Sequence, residues 1–250
     1  MPGSPATLIA RIPTVDLAHA ALFLDFDGVL VDIAPRPDAI TVPSHLPGLI
    51  TELEAVTDGA TAIVTGRGLA DLRSYLPDVP RTVIGSHGAE RAGGPPHPLA
   101  GSDDLRAAEA FVAFLAERDP GLLVEKKPLG VSLHYRAAPH LHGTLERDLA
   151  RFAAEHPAFE LHPAKGAFEL RPPGIGKDHA IAALMAAAPF AGRTPIYLGD
   201  DTTDEPALAW VTQSDGIAIK VGAGETCAPH RVDAPSDVHA LLSGWAEAVR

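Results

Sequence analysis

The stretch ALFLDFDGVLVD, residues 21–32, decides how the chain is read. Ala21 to Leu24 form an apolar run typical of a buried strand, and the run stops abruptly at Asp25, Phe26, Asp27 and Gly28. In extended backbone the side chains at i and i+2 point the same way, so Asp25 and Asp27 are expected to face one spot beyond the strand's carboxyl end. Two like charges there repel unless one holds a proton or a cation lies between them, and oxygen-only ligands suit a hard ion such as Mg²⁺. Open parallel sheets bind ligands at this same end of their strands, so the stretch reads as a catalytic centre more readily than as a polar turn.

The same pattern recurs further along the chain. Ala60 to Val64 is a second buried run, and it stops at Thr65, Gly66 and Arg67, with a helix starting near Gly68. A hydroxyl, free main-chain amides and a helix start make a phosphate cradle. Thr82 to Ile84 ends in GSHGAE, with His87 and Glu90 close behind, and Thr194 to Leu198 ends in GDDTTDE at residues 199–205. Acidic clusters at the ends of two parallel strands can converge on one cation. Asp25 and Asp200 would supply carboxylates and Asp27 its main-chain carbonyl, while Asp201 or Asp204 orients these ligands from behind. With the metal in place, one carboxylate can attack phosphorus, which splits a difficult hydrolysis into two easier displacements. Lys177 opens a helix after Gly174 and Gly176, where its cation would keep the nucleophile ionised and neutralise phosphoryl oxygens.

Between these core segments the character changes. A helix over 103–118, a hairpin from Leu122–Lys127 and Val131–Arg136, a helix over 140–155 and two short strands up to Arg171 make a small α+β unit. The fold class is therefore α/β, a Rossmann-like parallel-sheet core at 1–91 and 168–250 with an inserted α+β cap at 92–167. The formal charge of −12 argues against a nucleic-acid or acidic-membrane partner, and a small-molecule substrate is expected. A single cysteine, Cys227, excludes an internal disulfide and a cysteine-based zinc site. With no secretory pattern at the start and no membrane-length apolar run, a cytoplasmic enzyme is the simplest setting, and a monomer the working assumption.

DFDGV, Thr65, Lys177 and GDD-TTDE, in this order, resemble the haloacid dehalogenase (HAD) superfamily of phosphotransferases. That resemblance implies Asp25 as nucleophile, Asp27 as general acid and base, Thr65 and Lys177 as phosphate holders and Asp200 as the Mg²⁺ ligand. A narrower resemblance rests on VTGR (64–67), GSHGAE (85–90), VEKKPLGVSLHYR (124–136), KGAFELRPPGIGKD (165–178) and YLGDDTTDE (197–205), which are similar to the trehalose-6-phosphate phosphatase family. It implies trehalose 6-phosphate as substrate, gripped through Glu125, Lys127 and Arg136 of the cap and Glu169 at its junction with the core, with Arg67 and His87 at the opening near the phosphate. Carboxylates accept from sugar hydroxyls while Lys and Arg donate, which fits these residue types. Two alternatives share the core residues or the fold: another HAD sugar-phosphate phosphatase, of sucrose-phosphate or mannosyl/glucosyl-phosphoglycerate type, and a non-catalytic trehalose-phosphate sensor.

Overall fold

A computed structural model describes residues 12–34, 39–78, 80–94, 97–164 and 166–249. The first residues of the chain, part of the proline-rich segment at 35–43, and Lys165, which belongs to one of the quoted motifs, lie outside the described residues. In chain order the elements are β1 (Ala20–Leu24), α1 (Leu46–Val56), β2 (Thr61–Val64), α2 (Leu69–Tyr75), β3 (Thr82–Gly85) and β4 (Glu90–Arg91). There follow α3 (Asp103–Ala116), β5 (Leu123–Lys127), β6 (Gly130–His134), α4 (His142–Glu155), β7 (Glu160–Ala164) and β8 (Ala167–Arg171). The chain closes with α5 (Lys177–Met185), β9 (Thr194–Gly199), α6 (Glu205–Gln213), β10 (Ile217–Val221), β11 (His230–Val232) and α7 (Pro235–Glu247). Two compact units result, one of residues 1–94 and 176–250, the other of 95–175.

The first unit is a seven-stranded sheet in the order β11-β10-β9-β1-β2-β3-β4, parallel except for the β3–β4 pair. All five residues of β1 are buried, because helices cover both faces of the sheet. Leu22 and Leu24 join a cluster with Leu46, Ile50 and Leu53 of α1 and Leu242 and Trp245 of α7. Ala21 and Phe23, on the opposite face, pack with Ile181 and Leu184 of α5, Leu208 and Val211 of α6, and Phe190. A strand buried on both sides has no reason to alternate, hence the unbroken apolar run. Leu24 sits level with Ile63 of β2 and Leu198 of β9, so Asp25, one residue past this level, and Thr65 and Asp200, two past it, leave the sheet at the same edge. They do so where the strand order reverses around β1, the usual ligand crevice of such sheets.

The second unit is a four-stranded antiparallel sheet, β5-β6-β8-β7, with α3 and α4 packed against it. Val131, Leu133, Phe168 and Leu170 are buried, and α3 meets α4 through stacked Phe111 and Phe152 rings 4.6 Å apart. Ser102 caps α3 by accepting from the Leu105 amide at 3.1 Å, and Asp103 and Asp104 favour the positive end of the helix dipole. Among the described residues no helix is long and apolar enough to cross a membrane.

Some local details carry no clear sequence signal. Ser44, a residue type that favours helix starts, does not cap α1; His45 stands at that position, its side chain bonded to none of the helix's amides, and Pro47 fixes the first turn. β4 and β11 have two and three residues, too short for periodicity to announce them. The core makes a direct stability prediction. Phe23→Ala removes a fully buried ring stacked 5.3 Å from Phe190, and should cost about 3–5 kcal/mol in urea unfolding of the first unit.

Candidate active site

Asp25 follows β1 and remains in its ladder, its amide donating to the Leu198 carbonyl at 3.0 Å. Its carboxylate is buried. One oxygen accepts from the Phe26 amide at 2.7 Å, and the other meets the Lys177 Nζ at 2.8 Å. Lys177 lies at the amino end of α5, where an ammonium is opposed by the helix dipole. Two carboxylates compensate, since the same Nζ also donates to Asp204 Oδ1 at 2.6 Å. Burial works against the charge on Lys177, yet Asp25 and Asp204 outweigh it and raise its pKa above the ordinary lysine value.

The hydrogen-bond supply divides the acids sharply. Asp204, wholly buried, receives Lys177 and the Tyr197 hydroxyl (2.5 Å) on one oxygen and the amides of Asp200 and Asp201 (2.9 and 3.0 Å) on the other. Burial alone would raise its pKa, but Lys177 and these donors hold it below the usual carboxylate range. For Asp25 burial prevails over Lys177, and the nearby Asp204 charge adds to it, so its pKa lies well above that range. Burial, with Asp204 and Asp201, likewise pushes Asp200 up to about 6. Asp204 is thus the settled anion, and Asp25 and Asp200 are the ones still lacking positive charge.

A divalent cation fits that deficit. Oxygens of Asp25, Asp200 and Asp204 lie within 4.8 Å of one another, and Asp204's are already occupied by protein donors, leaving Asp25 and Asp200 as open ligands. Gly28, at φ +74°, lets the Asp200 carboxylate rest against the main chain just after Asp27; a Cβ there would overlap it. The side chain of Asp27 stands outside this oxygen cluster although it faces the same cavity as Asp25. The chain turns after Asp25 to bury Phe26, and Arg67 takes the Asp27 carboxylate in a two-pronged pair, Nε to Oδ2 at 2.6 Å and the second amino group to Oδ1 at 2.8 Å. Arg67 also binds Asp71 at 2.7 Å, and its guanidinium lies over the Phe26 and Tyr75 rings, at 5.7 and 5.2 Å from their centroids.

Asp25, Asp27, Thr65, Arg67, His87, Lys177, Asp200 and Asp201 all line one cavity of about 770 Å³. Thr65 follows β2, its hydroxyl accepting from the Arg67 amide at 3.2 Å, with the amino end of α2 close behind. Two participants escaped the sequence reading: Tyr197, hidden in the apolar run of β9, and Lys220 in β10, which is buried and donates to the Asp200 carbonyl. The signal for Lys220 was a lysine inside the strand IAIKV.

In the second unit, strand register aligns Glu125, Ser132, Glu169 and His162 across the sheet, hence on one face. Lys127, two residues from Glu125, shares that face and pairs with Glu169 at 2.9 Å, while Glu125 pairs with His134 at 2.8 Å. Arg136 lies beyond β6, packed across Gly166. The structure therefore brings Lys127 to Glu169 directly and Glu125 onto the same polar face.

The sequence pattern of the trehalose-phosphatase family matches residues 23–239. The trehalose-6-phosphate phosphatase of Escherichia coli is 36% identical over 228 residues, 90% of this chain and 86% of its own length. A probable trehalose-phosphate phosphatase of Sinorhizobium fredii is 37% identical over 213 residues, 84% of this chain and 80% of its own. A solved trehalose-6-phosphate phosphatase related protein superposes with a TM-score of 0.65 at 29% identity, covering 91% of this chain and 97% of that one.

The raised pKa of Asp200 has a measurable sign. Its folded-state value lies above the unfolded one, so the metal-free folded protein binds this proton more tightly than the unfolded chain does, and its stability rises as pH falls through about 6. Because the group is partly solvated, the gain between pH 7.5 and 5 in EDTA should be about 1 kcal/mol larger than in Asp200→Asn, by urea unfolding. Parallel pH profiles for the two proteins would contradict it.

Proposed function

The chain belongs to the trehalose-phosphatase family, and from that premise we propose that it is a Mg²⁺-dependent phosphatase that hydrolyses trehalose 6-phosphate to trehalose and phosphate through an aspartyl-phosphate on Asp25. The observation that carries this reading is a buried carboxylate, Asp25, held 2.8 Å from Lys177 beside a second carboxylate, Asp200, at the reversal point of a parallel sheet. Asp25, Asp200 and the Asp27 carbonyl would hold Mg²⁺, which would supply the positive charge that lets an anionic phosphate approach an anionic nucleophile.

The remaining steps belong to the chain's own residues. Asp25 attacks phosphorus, the bond to the sugar O6 breaks, and Asp27 delivers a proton to the departing oxygen. Asp27 then takes a proton from the water that attacks the aspartyl-phosphate, which releases phosphate and restores the Asp25 carboxylate. To reach the leaving oxygen Asp27 must give up part of its grip on Arg67. Lys177, the Thr65 hydroxyl and the amides that follow it hold the phosphoryl oxygens as charge shifts among them. The inserted unit serves as a substrate-selecting cap, whose Glu125, Lys127, Arg136 and Glu169 read the distal sugar. The setting this reading assumes is a cytoplasmic monomer.

A phosphate-release screen over a panel of sugar phosphates, with and without EDTA, tests the assignment; trehalose 6-phosphate should be the best substrate and EDTA should stop the reaction. Asp25→Asn should lower turnover by at least ~10³-fold with the circular dichroism spectrum unchanged. Lys127→Ala and Glu169→Ala should each reduce kcat/KM for trehalose 6-phosphate by roughly 10–100-fold while sparing a small aryl phosphate. Equal losses on both esters would place these residues outside the sugar site.

A further inference from the structure

Ser86 and His87 carry φ of 49° and 55°, a backbone region that L side chains rarely adopt, and nothing in the sheet topology requires it. Such a conformation persists only where its surroundings over-determine it, and it points to a side chain that has to be aimed. Glu90 is the residue that over-determines this turn. A single oxygen, Oε2, accepts from the Ser86 hydroxyl at 2.9 Å and from the Leu69 amide at the start of α2 at 3.0 Å. The turn is sewn to the neighbouring loop as well, with the Ser86 amide donating to the Arg67 carbonyl (2.8 Å) and the His87 amide to the Thr65 carbonyl (3.0 Å). The result is that the His87 ring lies flush on Gly66, where an added Cβ would come within 2.5 Å of it, and faces the cavity shared with Asp25 and Asp27.

We propose that Glu90 is a positioning residue: by clamping the left-handed Ser86–His87 turn to the α2 start it aims His87 at the leaving sugar, so that it governs which phosphate ester is turned over and not the phosphoryl chemistry itself. This rests on the phosphatase reading above. Glu90 touches none of the reacting groups, whereas Asp25, Lys177 and Asp200 are held by bonds that do not pass through it. The acceptor oxygen needs no charge for this task, so the amide of glutamine can replace it.

The test compares Glu90→Ala, Glu90→Gln, His87→Ala and the double variant His87→Ala/Glu90→Ala on trehalose 6-phosphate and on a small aryl phosphate. Glu90→Ala should lose roughly tenfold or more in kcat/KM on the sugar ester, within the loss that a displaced contact can cause, and change little on the aryl ester. Glu90→Gln should recover most of that loss, and the double variant should be no worse than His87→Ala. Equal losses on both esters, or additive effects of the two alanine changes, would overturn the proposal. If Glu90→Ala does not fold, Glu90→Gln decides: a sugar-ester loss as large as that of His87→Ala also overturns it. Should the wild-type protein prefer another ester of the panel, the substrate assignment fails, and the same comparison on that ester still judges Glu90.

Discussion

The bridge from Lys177 to Asp25 and Asp204 is the constraint on which the site depends. All three groups are buried, so each charge is tolerable only because the others are present. Removing the lysine would leave two uncompensated carboxylates, a change of about 3–5 kcal/mol in comparable buried pairs. The bridge also ties three elements together, because Asp25 follows β1, Asp204 follows β9 and Lys177 opens α5. Within it the acids are unequal. Four protein donors saturate Asp204, which becomes a fixed anion; Asp25 has one ammonium and one amide, and keeps the capacity to react.

Arg67 imposes a second division, this time between the two aspartates of the opening stretch. Its guanidinium, stacked on Phe26 and Tyr75, claims the Asp27 carboxylate, so two acids separated by a single residue answer to different cations. Separate partners give the two carboxylates different environments, the usual basis for dividing roles between paired acids; on the function proposed above, one attacks and the other moves protons.

Much of this was legible in the sequence because it depends on local pattern. Unbroken apolar runs ending in DFDG, TGR and GDD gave buried parallel strands whose polar ends meet at one edge; the register that sets Leu24 level with Ile63 and Leu198 is a finding of the structure. What could not be read depends on partners distant in sequence. The i, i+2 argument brought Asp25 and Asp27 to one cavity, but not the partner of each: Arg67, forty residues away, takes the Asp27 carboxylate, and Lys177 the Asp25 one. Tyr197 looked like one more core residue, because nothing in an apolar strand reveals that a phenol's hydroxyl has an acid to bind. The cap face was legible as strand alternation, but the Lys127–Glu169 contact needed the β6–β8 register to bring two distant segments level.

The sheet order also bears on how the chain reaches its folded state. β1 pairs on one side with β2, soon after it, but on the other with β9, where Ala20 meets Thr194 across the whole inserted unit. Closing so long a loop costs entropy that no local contact repays, so that edge of β1 forms late. The inserted unit joins only segments close in sequence and can organise first. On the ribosome the strand that leads to Asp25 therefore emerges well before β9 and waits, one edge unpaired, until β9 is made. The surroundings of Asp25 are complete only once β9 has joined β1, and a chain that stops short of β9 has no means of assembling them.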